Sequence, residues 1–90
     1  MDAVRRRVVV RGQVQGVGFR MNARACALEL GLTGSAENLP DGSVLVEIEG
    51  AEPSVVKMVE WLRVGPRWAE VTSLDVGELP PAGSAGFAVR

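Results

Sequence analysis

The residues best suited to chemistry run from 12 to 20, Gly-Gln-Val-Gln-Gly-Val-Gly-Phe-Arg. Three glycines, Gly12, Gly16 and Gly18, precede a single arginine, Arg20. Glycine accepts positive φ at no steric cost, so such a loop can turn successive N–H groups inward as an anion cradle. A helix starting at its end adds the positive pole of its dipole. Arg20 adds a planar fork of donors matched to two phosphate oxygens. The same glycines also suit a tight structural turn, and the loop alone does not separate the two readings. It is not a Walker A loop, because the Gly-Lys-Ser/Thr ending is missing. It is not the dinucleotide fingerprint either, because Met21 stands where the third glycine belongs. A second candidate is Asn38, ahead of Leu39-Pro40-Asp41-Gly42. Alone, an Asn beside a turn commonly satisfies nearby backbone groups.

Absences narrow the chemistry further. The chain has no histidine. That excludes an imidazole general base, a Ser-His or Cys-His nucleophile pair and imidazole zinc ligation. Cys26 is the single cysteine, so no intrachain disulfide forms and no Cys-x-x-Cys metal motif exists. Its place on an apolar stripe reads as a small core residue, not a nucleophile.

At 90 residues, 47% apolar and 23% charged, the chain fits one globular domain over 1–90 with a core of its own. No apolar run approaches the roughly 18 residues that span a bilayer. Arg11 interrupts the short valine run behind Arg5-Arg6-Arg7, and no signal-peptide cleavage pattern follows. The expectation is therefore a cytoplasmic protein without a membrane partner. Net charge is −1 but uneven: residues 1–24 carry six arginines against Asp2, and residues 25–90 carry four basic against ten acidic residues. The positive first part can steer an anionic ligand. The plainer reading of Arg5 to Arg7 is a solvated strand edge. Nucleic acid is a poor partner, since the chain is not basic and lacks paired stacking aromatics. Charges spread over most elements suggest a monomer.

Several elements must position the loop and Asn38. Residues 6–12 read as a strand with Val8 and Val10 on one face and Arg7, Val9 and Arg11 on the other. Phe19, Ala23, Cys26, Ala27 and Leu30 follow helical spacing over 21–30, and Gly31 stops that helix. Residues 32–39 and 43–49 form a hairpin across Pro40-Asp41-Gly42. Val44, Val46 and Ile48 share one face there, and Leu45, Glu47 and Glu49 the other. Residues 54–64 form a second helix on Val55, Met58, Val59 and Leu62, entered at Pro53 and ended by Gly65-Pro66. Residues 70–76 are a fourth strand, 79–85 a loop and 86–90 a short edge strand. The order is an α+β, ferredoxin-like split βαβ sandwich: an antiparallel sheet with two helices on one face and strands one and three central.

The two candidate stretches together resemble one family. GQVQGVGFR at 12–20 and GSAENLPDGSV at 34–44 match both signature motifs of the acylphosphatases. The similarity runs on through Gly65-Pro66 to Phe87-Ala88-Val89-Arg90. It implies a hydrolase, without metal or cofactor, that cleaves the carboxyl–phosphate bond of small acyl phosphates and releases inorganic phosphate. By that resemblance, Arg20 and the backbone N–H groups of Gln15, Gly16, Val17, Gly18, Phe19 and Arg20 bind the phosphate. Asn38 orients the attacking water. The chemistry is coherent, because an acyl phosphate has a good leaving group and phosphoryl transfer needs mainly positioning and charge stabilisation. The alternative is a non-catalytic anion-binding or regulatory ferredoxin-like module. Ser35 and Ala36 depart from the aromatic and β-branched residues common in the family, and Trp68 from a small or polar one. The expectation is that Trp68 fills space left near Ser35.

Overall fold

The structure is a computed structural model and describes residues 2–90. Its elements are β1 (Ala3–Gln13), α1 (Phe19–Glu29), β2 (Thr33–Asn38), β3 (Val44–Ala51), α2 (Glu52–Val64), β4 (Glu70–Leu79) and β5 (Phe87–Val89). The sheet order is β4-β1-β3-β2-β5. β1 and β3 lie side by side within the sheet, as the split βαβ order predicts.

Period-two alternation explains the two faces. Val8 lies opposite Val46 and Val10 opposite Val44. These valines, with Ile48 and Ala36, are buried against Phe19, Ala23 and Ala27 of α1 and Val55, Met58 and Leu62 of α2. Both helices therefore cover one face, because each has one apolar stripe and only that face matches it. Cys26 joins the cluster half-buried; burial, with the charge of Glu29, pushes its thiol pKa up. It is a packing residue, as its position on the stripe predicts.

Three expectations need correction. The sheet is mixed, because β5 runs parallel to β2, with Gly34 opposite Phe87 and Ala36 opposite Val89. A strand returning from β4, at the far edge, enters beside β2 from the same end as β2 itself. Arg5 and Arg6 are not on a solvated edge. They lie on β1 between β3 and β4, where Arg5 pairs with Glu47 at 2.6 Å and Arg6 with Glu78 at 3.4 Å. Trp68 does not fill space beside Ser35. Ser35 lies between Glu47 on β3 and Ala88 on β5, while Trp68 precedes β4 at the opposite edge. Trp68 is 73% exposed, with the Arg67 guanidinium 5.1 Å from its ring centroid. The space next to Ser35 is a depression of about 200 Å³, lined in part by Ser84, Ala85 and Arg90.

Residues 80–86 cross the helix-free face at this point. The carboxylate of Glu49 accepts the N–H groups of Ala82 and Gly83 and the hydroxyl of Ser84. These donors, the N–H of Gly83 foremost, hold the Glu49 carboxyl below the usual glutamate range against the opposing effect of burial. The Ser43 hydroxyl and N–H hold Asp41 low in the same way. A carboxyl whose pKa is lower in the folded than in the unfolded state stabilises the fold above its unfolded pKa. That contribution is lost as pH falls through the folded value. The melting temperature should therefore drop on acidification below about pH 4.3, the ordinary glutamate pKa. Glu49→Gln should flatten this dependence, because its contribution is already absent at neutral pH. A series of thermal melts from pH 7 to pH 3 checks both.

Candidate active site

β1 delivers the loop past a bulge in β4, where Thr72 is the extra residue. The β1–β4 pairing shifts register between Arg11 and Gly12. Gly12 has φ 130°, and a Cβ there would stand 2.0 Å from the carbonyl oxygen of Glu70. Only glycine lets the two backbones meet this closely at the start of the loop. The loop then turns at Gly16 and Gly18, with φ 75° and 76°, and enters α1 at Phe19.

The start of α1 is left open to an anion. Its N-cap is Gly18, which has no side chain to cap the first turn, and that turn contains no acidic residue. A Ser or Asp cap would occupy the early N–H groups, and an acid would oppose an anion. Among the described residues, none of the N–H groups of residues 15–20 donates to a protein acceptor. Gly16 has open space where a Cβ would point. Behind the turn, Phe19 is buried and its ring meets Trp61 of α2 at 5.8 Å between centroids, which anchors the first helical residue.

Hydrogen bonds join the loop to the β2–β3 turn. The Gln15 side-chain amide donates to the carbonyls of Leu39, at 2.8 Å, and Ser43, at 2.9 Å. Leu39 and Ser43 flank the Asp41 turn, which is closed by Leu39 N–H to Ser43 O at 2.9 Å. The turn after Asn38 and the loop before Arg20 are thus tied together by the Gln15 side chain. Val14, Gly16, Gly18, Phe19, Arg20, Met21 and Asn38 line a single cleft of about 90 Å³. Two larger depressions, about 200 and 120 Å³, lie elsewhere, and neither is lined by Arg20, Asn38 or the start of α1. The chemistry selects the smaller one.

Asn38 and Arg20 occupy this cleft in different ways. The Oδ1 atom of Asn38 is buried and has no hydrogen-bond partner in the protein. An orphaned buried acceptor costs about 1–3 kcal/mol and is rare in folded proteins. Arg20 is half-buried, and its Nη1 donates to the main-chain oxygen of Arg90. Sequence reasoning missed three supporting contacts. They are the Gln15 side chain as a tether, the Asn22 amide donating to Gly18 O at 2.8 Å, and the Arg90 oxygen against Arg20. Only Asn22, four residues after Gly18 at a helix start, left a local signal.

Comparison with known proteins places this geometry in a family. The acylphosphatase family model matches residues 6–89. An acylphosphatase of Aeromonas salmonicida (strain A449) is 55% identical over 80 residues, covering 89% of this chain and 89% of that protein. One from Anaeromyxobacter dehalogenans (strain 2CP-C) is 44% identical over 90 residues, covering 99% and 97%. The solved structure of an acylphosphatase from Coxiella burnetii superposes with a TM-score of 0.95 at 37% identity, covering 99% of this chain and 94% of that one. With both motifs in one cleft on this fold, the chain belongs to the acylphosphatase family, the hydrolases of acyl phosphates.

Proposed function

We propose that the cleft between the 14–20 loop and Asn38 hydrolyses small acyl phosphates by direct attack of water on phosphorus. As a family member, the chain is an acylphosphatase, and its reaction yields a carboxylate and inorganic phosphate. In this reading the N–H groups of residues 15–20 and the Arg20 guanidinium take the phosphoryl oxygens. The dipole of α1 adds to their field. Asn38 Oδ1 accepts a hydrogen bond from a water and holds it in line with the bond to be broken. The water forms the new P–O bond as the acyl carboxylate leaves with the electron pair of the old one, and the water's proton passes to phosphate or solvent. Charge spreads over the equatorial oxygens in the loose transition state, where fixed donors stabilise it most.

No general base is needed, because the leaving carboxylate is stable and the work is positioning. The positive charge that a metal would supply is assigned to Arg20, so the activity is read as independent of metals and cofactors. The observation that carries the reading is the buried, unpartnered Oδ1 of Asn38, a residue lining the same cleft as Gly16, Gly18, Phe19 and Arg20, whose N–H groups have no protein acceptor. The proposal extends to one domain over 1–90 working as a cytoplasmic monomer. The core cluster from Val8 to Phe87 supports the first part; among the described residues, no helix is long and apolar enough to cross a membrane.

The test is hydrolysis of a simple acyl phosphate by protein treated with excess chelator. Full turnover with competitive inhibition by inorganic phosphate is expected. Phosphate binding without turnover would leave only an anion-binding module, and loss of activity on chelation would return the charge to a metal.

A further inference from the structure

β5 reaches the site by a long route. It lies at the edge opposite β4, so residues 80–86 must pass over β1, β3 and β2 on the helix-free face. Glu49 stands midway, on β3, and is 5% exposed. Its carboxylate accepts Gly83 N–H at 2.9 Å, Ala82 N–H at 3.2 Å and the Ser84 hydroxyl at 3.1 Å. Ser84 Oγ also lies 2.9 Å from Thr33 Oγ1 on β2. Beyond this clasp, Gly34 N–H donates to Gly86 O and Arg90 N–H to Ala36 O, each at 2.9 Å. The Arg90 main-chain oxygen then accepts Arg20 Nη1, the one hydrogen bond of that guanidinium among the described residues.

We propose that Glu49 is a positioning residue for Arg20. Its carboxylate fastens the crossover, the crossover sets β5, and β5 presents the Arg90 oxygen that holds the guanidinium. The reasoning is structural and entropic. A strand of three residues is short for an edge; its ladder to β2 and buried Phe87 hold it in the sheet, and the clasp fixes the chain that leads into it. Charge-assisted hydrogen bonds to a desolvated carboxylate are the strongest fastening available on this face. Arginine has high rotamer freedom, so a guanidinium without its anchor must be ordered when phosphate binds. That cost falls on binding. The loop amides lie between β1 and α1, which the clasp does not touch, and Asn38 ends β2 at the far end from Thr33, beside the turn that Gln15 holds, so the chemical step is spared.

The inference rests on Arg20 as the phosphate ligand, and the experiment separates the two. Glu49→Ala, Glu49→Gln and Arg20→Ala are compared for KM, kcat and phosphate Ki, well below their melting temperatures. Hydrogen exchange is followed at Gly34 and Arg90. Ordering one long side chain corresponds to about a 2- to 10-fold loss of affinity. Glu49→Ala should raise KM and Ki together by that factor with kcat nearly unchanged. Glu49→Gln should fall between it and the parent. The Gly34 and Arg90 amides should exchange faster while those of β1 and β3 do not. In an Arg20→Ala background, Glu49→Ala should add nothing to Ki. A lower melting temperature with parental KM and Ki would overturn the inference and leave Glu49 purely structural; Glu49→Gln decides this if Glu49→Ala does not fold. Arg20→Ala with unchanged Ki would overturn the Arg20 reading itself.

Discussion

Arg20→Ala should lower kcat/KM for a simple acyl phosphate by at least about 10²–10³, the loss expected when one preorganised donor to the developing charge is removed. The physical case is strong because Arg20 is, among the described residues, the only cation lining the cleft. The N–H groups around it are dipoles, and they alone must then face a phosphate of full charge. The loss should appear in both kcat and KM, since the guanidinium meets the phosphate in the ground state and grips it more tightly in the transition state. Arg20→Lys should recover little, because an ammonium cannot reproduce two parallel donors in a plane. The fold should survive both changes: Arg20 is half-buried and outside the apolar cluster. Steady-state kinetics with circular dichroism as a control tests this. Near-parental activity in a folded Arg20→Ala protein would remove the central ligand from the mechanism.

The second large effect is Asn38→Ala. It should cut kcat by roughly 10², the scale of a misplaced reacting group, and weaken phosphate inhibition far less. The two parameters should separate because Asn38 is assigned to the water and not to the phosphate. Stability offers a second signature. Asn38 Oδ1 is buried without a partner, so the native residue carries a desolvation penalty that alanine lacks. The variant should therefore melt at or above the parental temperature while turning over slowly. If Asn38 were only a turn residue, its removal would lower the melting temperature and leave kcat intact.

Much of this architecture was legible in the chain because it is locally encoded. The stripe of Phe19, Ala23 and Ala27 predicts α1, and the alternation of Val44, Val46 and Ile48 predicts β3, since each pattern reports one buried face. Gly16 and Gly18 ahead of a helix predict the open N-terminus of α1, because positive φ is theirs at low cost. The partners of charged and polar side chains were not legible. Arg5 to Arg7 read as a solvated edge from sequence, yet Glu47 lies 42 residues away on the strand beside Arg5. Trp68 read as a filler for Ser35, yet sheet order puts two strands between them. Gln15 read as a backbone donor of the cradle, and nothing local showed that its side chain would also hold the β2–β3 turn.

The sequence by itself determined the element order, the apolar faces and the pair of motifs that carry the chemistry. Each depends on residues close in the chain, whose spacing is read against a helix or strand period. Only the tertiary structure decided that Asn38 shares a cleft with Arg20, that β5 runs parallel to β2, and that Glu49 holds the crossover in place. These are consequences of register and crossing: a carboxylate cannot show in sequence which backbone will later pass over it. The loop at 12–20 holds the donors, and the fold supplies the acceptor at Asn38 and the anchor for Arg20.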